Sequence, residues 1–142
     1  MPFTYEIEIT ALNNEGITCP PHSAVAKGLT AWRFVWNPLC QLSASPVAAK
    51  NPNRFRNANA AKRCSAWGLS MYETEAKCRA AFKYLDESFP NFRKDAGDHI
   101  AKVDISDTDG LCTKANPNTG HFDFHPFKHV NMVSIMTLQG PL

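Results

Sequence analysis

His121, Asp123 and His125 occupy alternate positions along residues 120–125, and an extended chain turns both imidazoles and the carboxylate to one side of a strand. Two histidines and a carboxylate suit a divalent metal such as zinc or non-haem iron, and His129 would add a further ligand or a general base. The same alternation also describes the solvent face of an antiparallel strand, so both readings stay open on the residues alone.

A second group suits a nucleotide. Arg33 lies between Trp32 and Phe34 in an alternating run, and Ser70, Tyr72 and Glu75 fall where an apolar strand runs into a helix. A guanidinium can hold a pyrophosphate bidentately, a ring such as Tyr72 or Trp67 can stack on nicotinamide or adenine, and a hydroxyl with a carboxylate can orient a ribose. On that reading Arg33, Tyr72 and Trp67 bind the cofactor, and Ser70 and Glu75 serve catalysis. In the plainer alternative Tyr72 packs in the core, Ser70 meets a backbone partner, Glu75 favours the helix dipole and Arg33 lies along a sheet edge.

Lys50, Arg54, Arg56, Lys62 and Arg63 gather positive charge in one region, with Phe55 or Trp67 available to stack on a base. Single-stranded nucleic acid would fit such a patch, although five cations on a loop also describe a solvated surface, and a nucleic acid ranks below a small nucleotide as partner. The net charge of +2 is too mild to announce a nucleic-acid binder by itself. Among the five cysteines, Cys78 falls on the apolar face of a helix, whereas Cys64 follows Lys62 and Arg63, which would favour its thiolate. Their odd number and the absence of any C-x-x-C spacing suit a reducing compartment, so a cytoplasmic location is expected.

The elements that must position these groups follow from periodicity. Residues 3–10 alternate as a half-buried strand, and residues 13–28 form a turn-rich loop. Residues 30–36 give a second strand, stopped by Asn37-Pro38, and residues 41–63 a long surface loop. Residues 67–72 form a strand leading to Thr74, an N-cap for a helix over about 74–87 whose apolar stripe is Cys78, Ala81, Phe82 and Leu85. Further strands are expected over residues 99–105, 120–125 and 130–138, with an acidic turn at 107–110. With 142 residues, 44% hydrophobic and 20% charged, the chain is expected to form one domain over 1–142. The expected class is α+β, a mostly antiparallel sheet of about five to six strands with one main helix packed on it. No run approaches the ~18 apolar residues that cross a bilayer, so no membrane partner is expected.

An arginine on an early strand followed by Gly68-Leu69-Ser70-Met71-Tyr72-Glu73-Thr74-Glu75-Ala76 resembles the layout of small ADP-ribosyltransferase-like domains, including the RES-type NAD-degrading toxins. The resemblance covers about residues 30–85. It implies NAD or a related nucleotide as ligand, Arg33 as the phosphate-binding arginine, Tyr72 as the nicotinamide-stacking ring, Glu75 as a candidate acid, and a place in a toxin or host-defence system. Many members of that wider fold carry the catalytic glutamate on a late strand. This chain has no glutamate after Glu87, so Asp104 or Asp123 would take its place. Two other functions remain as alternatives: a non-catalytic module binding a protein partner or a small nucleotide, and a metal-dependent enzyme using His121, Asp123 and His125.

Overall fold

Apolar residues recurring two apart build the sheet. A computed structural model describes residues 1–142 as helices α1 (Glu6–Asn14), α2 (Val47–Lys50), α3 (Ala60–Ser65), α4 (Glu75–Ser88) and α5 (Phe92–Ala96), with strands β1 (Leu29–Val35), β2 (Leu69–Tyr72), β3 (His99–Ile105), β4 (Gly110–Cys112), β5 (His121–Pro126) and β6 (Met136–Pro141). The strands form one antiparallel sheet in the order β4-β5-β2-β1-β3-β6, so the expected α+β architecture is the observed one. Ala31, Val35, Leu69, Met71, Val103 and Phe124 turn to one face and make the main core, closed over by Met132 and Met136. Phe124 is fully buried there, and truncating such a ring to alanine costs about 3–5 kcal/mol. No helix is long and apolar enough to cross a membrane.

The opposite face is covered in two places. Helix α4 packs Cys78 and Phe82 toward the sheet, where Tyr72, Ile100, Trp32 and Phe34 meet it, and the Thr74 hydroxyl accepts the Lys77 backbone N–H as the expected cap. Elsewhere α1 and α3 enclose a smaller cluster of Ile9, Leu12, Cys19 and Cys64, against which Trp67 packs.

Three expectations are corrected. Residues 3–10 are not a strand: from Glu6 onward the chain is helix α1, because Tyr5, Ile9 and Leu12 also recur at helical spacing, and burying Ile9 and Leu12 leaves Ile7 82% exposed. The Glu6 carboxylate accepts the Phe3 N–H and steadies the entrance to this helix. Residues 41–63 are no surface loop. They fold into short helical pieces and bury Ser43, Ala44, Ser45 and Ala48. The expected strand over 130–138 begins only at Met136, preceded by a 3-10 turn at Met132–Ile135 in which the Asn131 side chain accepts the Ser134 N–H.

The cysteine reading is also corrected. Cys19 and Cys64 form a disulfide, their Cα atoms 5.5 Å apart and 45 residues apart in sequence, leaving Cys40, Cys78 and Cys112 free. Cys64 is therefore no reactive thiolate. Spacing concealed the pair because α1 and α3 meet only in the folded chain, where Arg63 also pairs bidentately with Glu15.

Candidate functional site

Arg33 sits where the ladder between β1 and β2 stops. The two strands share a single registered pair, Trp32 with Tyr72, and beyond it the Ser70 carbonyl accepts the Arg33 guanidinium at 2.9 Å instead of a strand N–H. The same guanidinium donates to the carbonyls of Ser43 at 2.8 Å and Ser45 at 3.1 Å, which holds the residue 41–50 segment against the sheet. Only 5% of Arg33 is exposed, and burial lowers its pKa to about 10. Three of the five N–H donors are thus committed to carbonyls, leaving one hydrogen on each terminal nitrogen.

Arg33 borders a cleft of about 140 Å³ lined also by Phe34, Lys50, Ser70 and Tyr72. Lys50 closes it from α2, its ammonium 4.8 Å from the centre of the Trp36 ring. Burial, and then the nearby Arg33 charge, lower the Lys50 pKa to about 8, with Asp95 acting in the opposite direction. No carboxylate lines the cleft. Two cations brought together in this way favour an anion between them. Two wider hollows share lining residues with the cleft. One, of about 460 Å³, shares Tyr72 and Leu85 and adds Tyr84 and His121; the other, of about 450 Å³, shares Lys50 and Phe92 and adds Arg54 and Phe89.

Cross-strand register assembles a polar row beside the cleft. Ser70 pairs with Asp123 and Tyr72 with His121, so β2 and β5 place these four side chains on one face. The His121 Nε2 lies 3.1 Å from the Ser70 hydroxyl and 3.8 Å from Asp123 Oδ1, while the Tyr72 and His121 rings meet edge to face. Burial raises the Asp123 carboxyl pKa, opposed by the Ser65 side chain and by His121, and burial alone lowers His125 to about 4, so its imidazole is neutral at pH 7. Burial likewise raises the Tyr72 hydroxyl, which stays protonated.

No family model, curated protein or solved structure matches the chain. What the site can do therefore rests on its own geometry.

Of the nucleotide-binding group, Arg33, Ser70 and Tyr72 come together in the cleft. Trp67 does not: its ring lies tilted against Tyr5, with ring centres 5.5 Å apart, and packs beside the disulfide cluster. Glu75 does not either, since it lies half-buried in the first turn of α4 and pairs with Arg79 at 3.0 Å. His121, Asp123 and His125 do share a face, but no three His, Cys, Asp or Glu side chains converge where one ion could bind them together. His121 turns toward Ser70, His125 is buried, and His129 stacks on Phe127. Asp104 is exposed on β3 opposite Thr30, whereas Asp123 borders the row beside the cleft. Within the basic region Arg63 is tied to Glu15 and Arg56 to Asn53, and Arg54 lies over Phe55. Lys50 is the cleft residue the sequence hid, one cation of five with no local mark of burial. The contact between Ser70 and His121 was equally hidden, because it depends on the β2–β5 register.

Proposed function

We propose that the chain binds a small phosphate-bearing nucleotide, NAD or a relative, in the cleft between β1, β2 and α2. One observation carries this reading: Lys50 and Arg33 line a single cleft together with Tyr72 and Ser70, and no carboxylate lines that cleft. A pyrophosphate would sit on the Lys50 ammonium and the remaining Arg33 N–H groups, with bases directed toward the aromatic hollows on either side. The ADP-ribosyltransferase-like reading, with its toxin or host-defence role, adds catalysis to this binding. In that case the reaction is cleavage of the nicotinamide–ribose bond by water, giving nicotinamide, ADP-ribose and a proton, and Asp123, which lines a neighbouring cavity and not the cleft, could act only through the Ser70–His121 row beside it. The non-catalytic binding module shares the same cleft and differs only in leaving the nucleotide intact.

Thermal unfolding with NAD, ADP-ribose or pyrophosphate tests the reading. Each is expected to raise the melting temperature, and Lys50→Ala to weaken binding by about ten- to a hundredfold, the size of a charge-assisted hydrogen bond. Lys50 is the residue to replace because Arg33 also ties three backbone carbonyls together. Absence of stabilisation by all three ligands, or an unchanged response in Lys50→Ala, would overturn it. Release of nicotinamide on incubation with NAD separates the enzyme from the binder.

The compartment belongs to the same proposal. The odd number of cysteines and the absence of C-x-x-C spacing suit the cytoplasm, whereas a chain that joins Cys19 to Cys64 suits an oxidising compartment instead.

A further inference from the structure

Between α3 and the segment that follows α1 lies a second cavity, of about 370 Å³, which shares no lining residue with the Lys50 cleft. Thr18 and His22 line it from one wall, Ser65 and the disulfide-bonded Cys64 from the other, and Asp123 and His125 from the strand behind. No lysine or arginine borders it.

Three buried polar atoms at this strand have no hydrogen-bond partner: Asp123 Oδ1 and both ring nitrogens of His125. Leaving such atoms unpaired costs about 1–3 kcal/mol each, and native chains rarely do so without a reason. Gly68 lets the backbone of the neighbouring strand pack closely behind them. A Cβ at position 68 would stand 2.9 Å from the Asp123 Cβ and 3.1 Å from His125 Nε2, although the glycine backbone itself needs no left-handed conformation. The chain therefore spends a glycine on the space against this pair.

The polarity of the unpaired atoms selects the ligand. A neutral imidazole offers one N–H and one acceptor nitrogen, and Asp123 Oδ1, as a carboxyl oxygen, offers an acceptor, so the set asks for two donors and one acceptor. An ammonium supplies donors and leaves the imidazole N–H unmatched. A phosphate supplies acceptors and would face the carboxylate with no cation nearby. Two neighbouring hydroxyls supply both.

We propose that this cavity is a binding site for a small neutral polyol of pentose size, held through Asp123 and His125 and separate from the nucleotide cleft. The ligand meets Asp123 first, whose side chain keeps 12% of its surface, and then His125, 1% exposed, after a small rotation of the imidazole. The disulfide holds the two walls at the spacing this needs.

The test is a titration of the full chain with D-ribose, followed through the imidazole nitrogen and carbon-bound proton signals of His125 by nuclear magnetic resonance. Phosphate, methylammonium and tetrahydrofuran, the last a similar ring without hydroxyls, form the other arms. A saturable shift of the His125 signals with ribose, at least several-fold weaker with each of the other three, is expected, and Lys50→Ala should leave it unchanged. Asp123→Asn should abolish it; should that variant not fold, ribose against tetrahydrofuran on the unaltered protein decides. No ribose response overturns the proposal. So does an equal response to tetrahydrofuran, which marks mere filling of space, a stronger response to either ion, or loss of the ribose response in Lys50→Ala.

Discussion

An ammonium half-buried beside a guanidinium, as Lys50 is beside Arg33, gives up its proton more readily than one in water. Between about 8, its pKa in the folded chain, and the ordinary lysine value of 10.5, the unfolded chain binds more protons than the folded one, so the cost of burying this charge is relieved as pH rises through that window. An anion needs the proton to stay. The Lys50 contribution to pyrophosphate affinity is therefore expected to be flat below pH about 7 and to fall roughly tenfold by pH about 9, following the protonated fraction of Lys50. Calorimetric titration at the two pH values checks this, and Lys50→Ala should remove that part of the pH dependence. Much of the cleft was legible at this scale. Arg33, Ser70 and Tyr72 could be grouped from residue type and strand position, because a cation, a hydroxyl and a ring around an apolar strand are visible in sequence. Lys50 could not be separated from Arg54 and Arg56, since its burial arises only when the residue 41–50 segment folds back onto the sheet.

At the scale of elements, α4 was readable because cap, apolar stripe and stop agree, from Thr74 through Cys78 and Phe82 to Pro90. Helix α1 was not. Phe3, Tyr5, Ile7 and Ile9 alternate, yet Tyr5, Ile9 and Leu12 fit a helix equally well, and a nine-residue segment is too short for periodicity to arbitrate. What decides is a partner distant in sequence, the cluster around Cys19 and Cys64 that takes up Ile9 and Leu12. Ile9→Ala is accordingly expected to lower stability by about 2–5 kcal/mol, whereas Ile7→Ala should stay within about 0.5 kcal/mol. A strand would have put both side chains on one face and cost similar amounts at each, so urea denaturation of the two variants distinguishes the elements directly.

For the molecule as a whole, the Cys19–Cys64 bond closes a loop that contains α2, α3 and β1, and a cross-link over such a length stabilises by about 2–4 kcal/mol, mainly by restricting the unfolded chain. Protein denatured without reductant should show three reactive thiols rather than five, and the double variant Cys19→Ala/Cys64→Ala should lose stability by that amount. Five thiols in protein from an oxidising compartment would contradict the pairing. The sheet itself is less uniform than its six strands suggest. Strands β1 and β3 run together over seven registered pairs and β2 and β5 over four, yet β1 and β2 meet at one. Mechanically these are two three-stranded ribbons, β4-β5-β2 and β1-β3-β6, hinged at Trp32 and Tyr72 and riveted by Arg33. The cleft opens along that hinge, touching Phe34 on one ribbon and Ser70 and Tyr72 on the other. A ligand seated there would splice the ribbons and stiffen the joint.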